Sequence, residues 1–330
     1  MKKAFITGIT GQDGSYLADL LVEKGYEVHG LVRRIASENQ DERFSRIKHL
    51  LAADKIKIHY GDVTSYPTLW RLISSVQPDE IYHLAAQSNA VISLEDDFGA
   101  FTTNALSVHN ILSAIKELKS ECRFFFAGTA EMYGNVKTSP QDEQTPFCPN
   151  TPYSISKADG YFFTKMFRER YGLFACTGIL FAHESPRRGF DFVTRKITST
   201  AAKIKAGLEN KLVLGNLDSR KDWGFSGDYV KAMWLMLQQE KPGDYVIGTG
   251  ISHSVKEFVE KTFAILNLDW QKYVTVDQKF FRPLPPFEII SNPQKANNIL
   301  GWKSETSFED LISAMVKNDT AIIASNSNKI

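Results

Sequence analysis

Apolar positions in the first 180 residues fall into two alternating kinds of run. Short, nearly all-apolar segments at 3–7, 26–32, 56–60, 80–84, 123–127 and 175–181 predict strands covered on both faces. Between them, apolar residues recur at helical spacing over 15–24, 66–76, 103–118 and 153–171. This βα alternation predicts an α/β chain built on a doubly wound parallel sheet, whose ligands lie at the carboxyl ends of the strands.

After Phe181 the rhythm changes. Proline, glycine and arginine cluster in HESPRRGF, and helical patterns resume at 193–205, 228–239, 254–266 and 307–316. The proline-rich segment 280–293 predicts an extended loop, and the polar last residues, SNSNKI, predict a frayed end. With no internal repeat or low-complexity linker, two interlocked parts are expected. Residues 1–180 form the sheet domain, to which some later segments return; residues 181–330 form a smaller α/β domain that closes over it.

Composition narrows the setting. The 330 residues carry a formal net charge of +1, which gives no electrostatic case for nucleic acid or a membrane surface as partner. Cys122, Cys148 and Cys176 are odd in number and lack a Cys-x-x-Cys pair, which favours buried thiols in a reducing compartment. The opening MKKAFITG is cut by Gly8, Gly11 and Asp13 too early for a secretory segment, and no run approaches a membrane span, so the cytoplasm is expected. The seven histidines show no metal-ligand spacing, and no metal is expected.

The first candidate chemistry is a glycine turn. Gly8, Gly11 and Gly14 have G-x-x-G-x-x-G spacing between the first strand and a helix, the arrangement that brings a dinucleotide pyrophosphate to a helix N-terminus. The whole turn (Gly8, Thr10, Gly11, Gln12, Asp13, Gly14) is therefore assigned to a nicotinamide cofactor on a Rossmann-like sheet. The end of the second strand reads LVRRIAS. Arg33 and Arg34 stand where NAD binders commonly place an acid, and guanidinium groups suit a 2′-phosphate, so NADP is expected. Asp62 and Val63 follow the third strand, where an acid can accept the adenine amino group. Leu84, Ala85 and Ala86 follow the fourth, where small residues let the backbone lie close to the cofactor.

The second candidate is YSISK. Tyr153 and Lys157 are four residues apart on a helix and share a face. An ammonium beside a phenol favours phenolate and makes tyrosine a usable base.

With GITGQDG and YSISK as its two hallmarks, the chain resembles the extended short-chain dehydrogenase/reductase family, and Asn104 matches that family's asparagine after the fourth strand. Within it the resemblance to the GDP-mannose 4,6-dehydratase family runs nearly the whole length, through QPDEIYHLAAQS, GILFAHESPRRG, FVTRKIT, LGNLDS and DYVKAMWLMLQQ. The resemblance implies tightly bound NADP regenerated in each cycle, a GDP-sugar substrate, homodimers or homotetramers, and a loop at 33–37 that reaches a neighbouring subunit's cofactor. In FFFAGTAEMYG it implies that Thr129 assists Tyr153 and that Glu131 works on the sugar. After oxidation at C4 the C5 proton is acidic, and a carboxylate can remove it and protonate the departing C6 hydroxyl. For the substrate it implies Ser88, Glu184, Val193, Lys196, Arg220, Lys221 and Arg282.

The recognition set also departs from the family. Asn150 replaces an arginine, Ala182 an asparagine, Lys221 an arginine and Pro285 a glutamate. These changes leave the sugar and base open, with GDP-mannose, a GDP-heptose or another NDP-hexose as possibilities. An NDP-sugar 4,6-dehydratase is the leading expectation. A C4 oxidase/reductase or epimerase on such a substrate and a catalytically silent NADP-binding protein are the alternatives.

Overall fold

The computed structural model describes residues 1–34, 39–281 and 287–327. Arg282, Pro285 and positions 35–37 of the arginine loop lie outside the described residues.

Six of the expected strands form as β1 (Lys3–Thr7), β2 (Glu27–Val32), β3 (Ile56–Tyr60), β4 (Glu80–His83), β5 (Arg123–Thr129) and β6 (Ala175–Leu180). A seventh, β7 (Asp244–Ile247), comes from the second half and pairs with β6. All pairings are parallel, in the order β7-β6-β5-β4-β1-β2-β3. The order in which strands are added therefore reverses between β1 and β4, and the crevice at their carboxyl ends is where such sheets bind ligands.

The sheet is buried on both faces. Phe124 and Phe126 point into one cluster with Phe5, Ile81, Ile111 and Ile115, while Phe125 points into the other with Ile6, Leu17 and Met233. Each such buried phenylalanine stabilises the fold by about 2–3 kcal/mol relative to exposure. The second half adds its own cluster of Ile197, Trp223, Phe258, Phe263, Phe308 and Ile312.

Helices α1 (Gln12–Glu23), α2 (Tyr66–Val76), α3 (Ser107–Glu117) and α4 (Pro152–Tyr171) flank the sheet; α5 (Val193–Lys205), α6 (Ser226–Gln238), α7 (Val255–Ile265) and α8 (Phe308–Ser327) follow. Three helix boundaries differ from the hydrophobic pattern by three residues or more. Helix α1 begins three residues early, inside the glycine motif, because its first turn is polar and carries no apolar stripe. The pattern at 103–118 divides into a π turn, Thr102–Leu106, and α3. Helix α8 runs past 316 because Asp319, buried, ion-pairs with Arg195 of α5 at 2.6 Å, a tether without hydrophobic periodicity. No helix among the described residues is long and apolar enough to cross a membrane.

Candidate active site

The glycine turn closes through the Gly11 N–H, which donates to the Gly8 carbonyl at 2.9 Å. Gly8 has φ +78° and packs so tightly that a Cβ there would lie 2.8 Å from the Ala85 nitrogen. A Cβ on Gly14 would lie 2.2 Å from the Gly8 oxygen. Both glycines are thus required by packing. Gly11 is different: a Cβ would meet only the Gly8 oxygen, at 3.1 Å, and it begins α1 with no side-chain cap. The N-terminal N–H groups of α1 are therefore presented at the sheet crevice without a capping side chain, a cradle that fits a dinucleotide diphosphate.

The other predicted cofactor residues surround this turn. Ala85 N–H donates to the Thr7 hydroxyl at 3.2 Å, which brings the 84–86 segment against Gly8. Asp62 caps the turn after β3 by accepting from the Thr64 N–H and hydroxyl, both at 2.8 Å, and Val63 packs against the core beside it. Arg33 and Arg34 are exposed at the end of β2. The pattern missed Arg46, which donates to the Thr10 carbonyl at 3.1 Å and the Arg187 carbonyl at 2.7 Å. Standing alone in the connection between β2 and β3, outside any motif, it gave no signal.

Gln12 and Asp13 face the second half of the chain. Gln12 accepts from the Ser185 hydroxyl at 2.8 Å and donates to the His183 carbonyl at 3.1 Å. Asp13 pairs with His183 at 2.8 Å and accepts from the Ser226 hydroxyl at 2.6 Å. Their side chains join the turn to the second half, so the part of each left for a cofactor is its backbone N–H.

Tyr153 and Lys157 are placed by a well-defined helix start. Thr151 and Ser154 form a reciprocal capping box around Pro152, and the Tyr153 N–H donates to Ser93 Oγ at 3.2 Å. Burial pushes the Tyr153 phenol up to about 12, opposed by a hydrogen bond with Thr129. Burial lowers the Lys157 ammonium to about 7, opposed by the charge of Asp13. The Lys157 Nζ donates to the Ala127 carbonyl at 2.8 Å, because the side chain runs down onto β5. Asn104, buried in the π turn, bridges the Gln87 backbone and Ser156 Oγ and so fastens the segment after β4 to α4.

Glu131 lies in the 3-10 turn Ala130–Tyr133, whose N-cap Thr129 accepts from the Glu131 N–H at 3.3 Å. Its carboxylate meets Lys221 Nζ at 2.7 Å. Thr129, Glu131 and Tyr153 thus stand together at the carboxyl edge of β5, with Lys221 reaching in from the second half.

The expected substrate residues separate into two groups. Lys221 points into this cleft, Ser88 is exposed after β4, and Val193 is exposed at the start of α5. Lys196 donates to the Val213 carbonyl at 2.8 Å and lies over Phe280. Arg220 turns the other way, to Glu288 and Glu257. Glu184 is buried, holding the Thr194 hydroxyl at 2.6 Å and Arg188 at 3.1 Å, which makes it a support for the start of α5. Asn150 bonds Asn135 across an exposed loop, and Ala182 packs against the second core. Among the described residues no cluster of side chains suited to hold a metal occurs.

A family model described as GDP-mannose 4,6 dehydratase matches residues 5–315. GDP-mannose 4,6 dehydratase 2 of Arabidopsis thaliana is 47% identical over 325 residues, 96% of this chain and 87% of that protein. The Homo sapiens GDP-mannose 4,6 dehydratase is 45% identical over 352 residues, 98% of this chain and 93% of that protein. The fold is shared with dTDP-glucose 4,6-dehydratase of Bacillus anthracis, solved in complex with NAD, at TM-score 0.83 and 20% identity over 96% of each chain.

Proposed function

The chain belongs to the GDP-mannose 4,6 dehydratase family, and from that premise we propose that it converts GDP-mannose to the 4-keto-6-deoxy sugar nucleotide. The observation that carries this reading is the grouping of Thr129, Glu131 and Tyr153 at one sheet edge, beside the glycine turn. A C4 oxidation or epimerisation would need Tyr153 but gives Glu131 no task.

The Gly8–Gly14 turn would hold a nicotinamide dinucleotide, which would supply acceptance and return of hydride with no net redox change. Tyr153 takes the C4 hydroxyl proton, and Thr129 favours its phenolate by hydrogen bonding. Glu131 takes the C5 proton and delivers a proton to the C6 hydroxyl, which leaves as water. The test is Glu131→Gln with GDP-mannose, followed by product mass. Loss of the mass change of one water, with some C4 oxidation retained, is expected; dehydration at the parental rate would remove Glu131 from this role.

NADP is the cofactor favoured by the exposed Arg33 and Arg34 at the end of β2, with Arg46 held on the Thr10 carbonyl nearby. Changing Arg33 and Arg34 together to alanine should weaken NADP binding at least about tenfold and leave NAD binding nearly unchanged; equal loss of both would refute the assignment. A homo-oligomer is favoured by an apolar surface on α4 and the short helices before the π turn, where Leu94, Phe98, Phe101, Ile155 and Phe162 are exposed.

A further inference from the structure

The two-residue strand Arg220–Lys221 carries two cations that face opposite ways, because successive side chains alternate along a strand. Arg220 is held on the outer side by Glu288 at 2.7 Å, Glu257 at 3.2 Å and the Ser252 hydroxyl at 2.9 Å. Lys221 is thereby turned across the cleft, where its ammonium lies 2.7 Å from Glu131 Oε1.

Both ends of this contact are fixed by their backbones. The residue after Lys221, Asp222, is 1% exposed and accepts hydrogen bonds from Thr249 N and Oγ1, Gly250 N, and Ser291 N and Oγ. The strand itself pairs His253 with Lys221. Glu131 is fixed by its single 3-10 turn and the Thr129 cap. With side chains 39% and 40% exposed, such a pair adds only about 0–1 kcal/mol to folding, so stability does not account for it.

We propose that Lys221 is a positioning residue of Glu131, holding its carboxylate aimed into the cleft ahead of proton removal at C5. This role rests on the dehydratase reading above. An ammonium makes a single-point contact, so the carboxylate can turn toward C5 and then C6 while keeping its counter-charge. A guanidinium in a bidentate fork would hold it more rigidly.

The experiment uses the full chain with NADP and saturating GDP-mannose in deuterium oxide. Transient absorbance of reduced nicotinamide reports C4 oxidation, and product mass reports deuterium taken up at C5. In Lys221→Met, C4 oxidation should stay within about threefold of the parent while deuterium uptake and water loss fall at least about tenfold. Lys221→Arg, which keeps the charge but grips the carboxylate more rigidly, should restore only part of the loss, and both variants should melt near the parental temperature. If the two steps fall together, or if only KM rises, Lys221 is a substrate anchor and the proposal fails. If neither changes, the ion pair is incidental and the proposal fails as well. A parental protein that oxidises C4 but takes up no deuterium would instead overturn the dehydratase reading.

Discussion

Asp13, in the glycine turn, and His183, just after β6, form an ion pair of 2.8 Å that joins the two halves of the chain. Burial alone would raise the Asp13 carboxyl, but His183 and the Ser226 hydroxyl overcome it and hold it well below the usual carboxylate range. Burial likewise would lower the His183 imidazole, and Asp13 raises it instead. His183 also stacks on Tyr229 at 4.5 Å, so the pair is held in the core of the junction.

The pair should give stability a defined pH dependence. Asp13, with its folded value depressed, contributes above its unfolded value near about 4 and loses that contribution as pH falls through the folded value. His183, with its folded value raised, contributes fully below about 6.5 and loses that contribution as pH rises through the folded value. Asp13→Asn should therefore cost most between these limits, about 3 kcal/mol. Melting curves should show the gap to the parent narrowing above neutrality. A constant gap from about pH 5 to 9 would contradict this account.

The glycines of the turn should fail in different ways. In Gly14→Ala the new methyl meets the Gly8 oxygen at 2.2 Å and the Ile9 Cα at 2.7 Å, so stability should fall by about 1–3 kcal/mol. Gly11→Ala meets one atom, at 3.1 Å, and should melt close to the parent while binding cofactor at least about tenfold more weakly. Thermal melts with dinucleotide titration separate the two; equal destabilisation by both would show that Gly11 is also a packing residue.

Thr129→Val should move the alkaline rise of kcat to higher pH. The hydrogen bond with Thr129 opposes the effect of burial on the Tyr153 phenol, so its removal leaves less phenolate at any given pH. The rate near pH 7 should fall about tenfold or more and recover partly in alkali, with Thr129→Ser close to the parent. An unshifted pH–rate profile in Thr129→Val would dissociate Thr129 from the base.

Phe98, 75% exposed, is the most exposed side chain of the apolar surface proposed to join copies of the chain. Phe98→Asp would place a charge in that contact and should reduce the assembly to a smaller species, measured as molar mass by light scattering. The same mass for parent and variant would move the contact elsewhere.

Local sequence determined the sheet's six N-terminal strands, the glycine turn and the one-turn spacing of Tyr153 and Lys157 on their helix, because hydrophobic period and motif spacing are properties of neighbouring residues. It did not determine β7, since Asp244–Ile247 is too short to be distinguished until β6 pairs with it. Nor could it show that Lys157 would reach the Ala127 carbonyl, or that Asp13 would face His183, 170 residues away. The resemblance put Lys221 at a phosphate-binding position with the neighbouring Arg220 side chain pointing elsewhere, but the sequence could not show which groups either cation would meet. The alternation of one short strand, pinned by buried Asp222, sends Arg220 outward and Lys221 to Glu131. Such choices depend on which distant backbone a side chain meets, and only the packed tertiary structure supplies that.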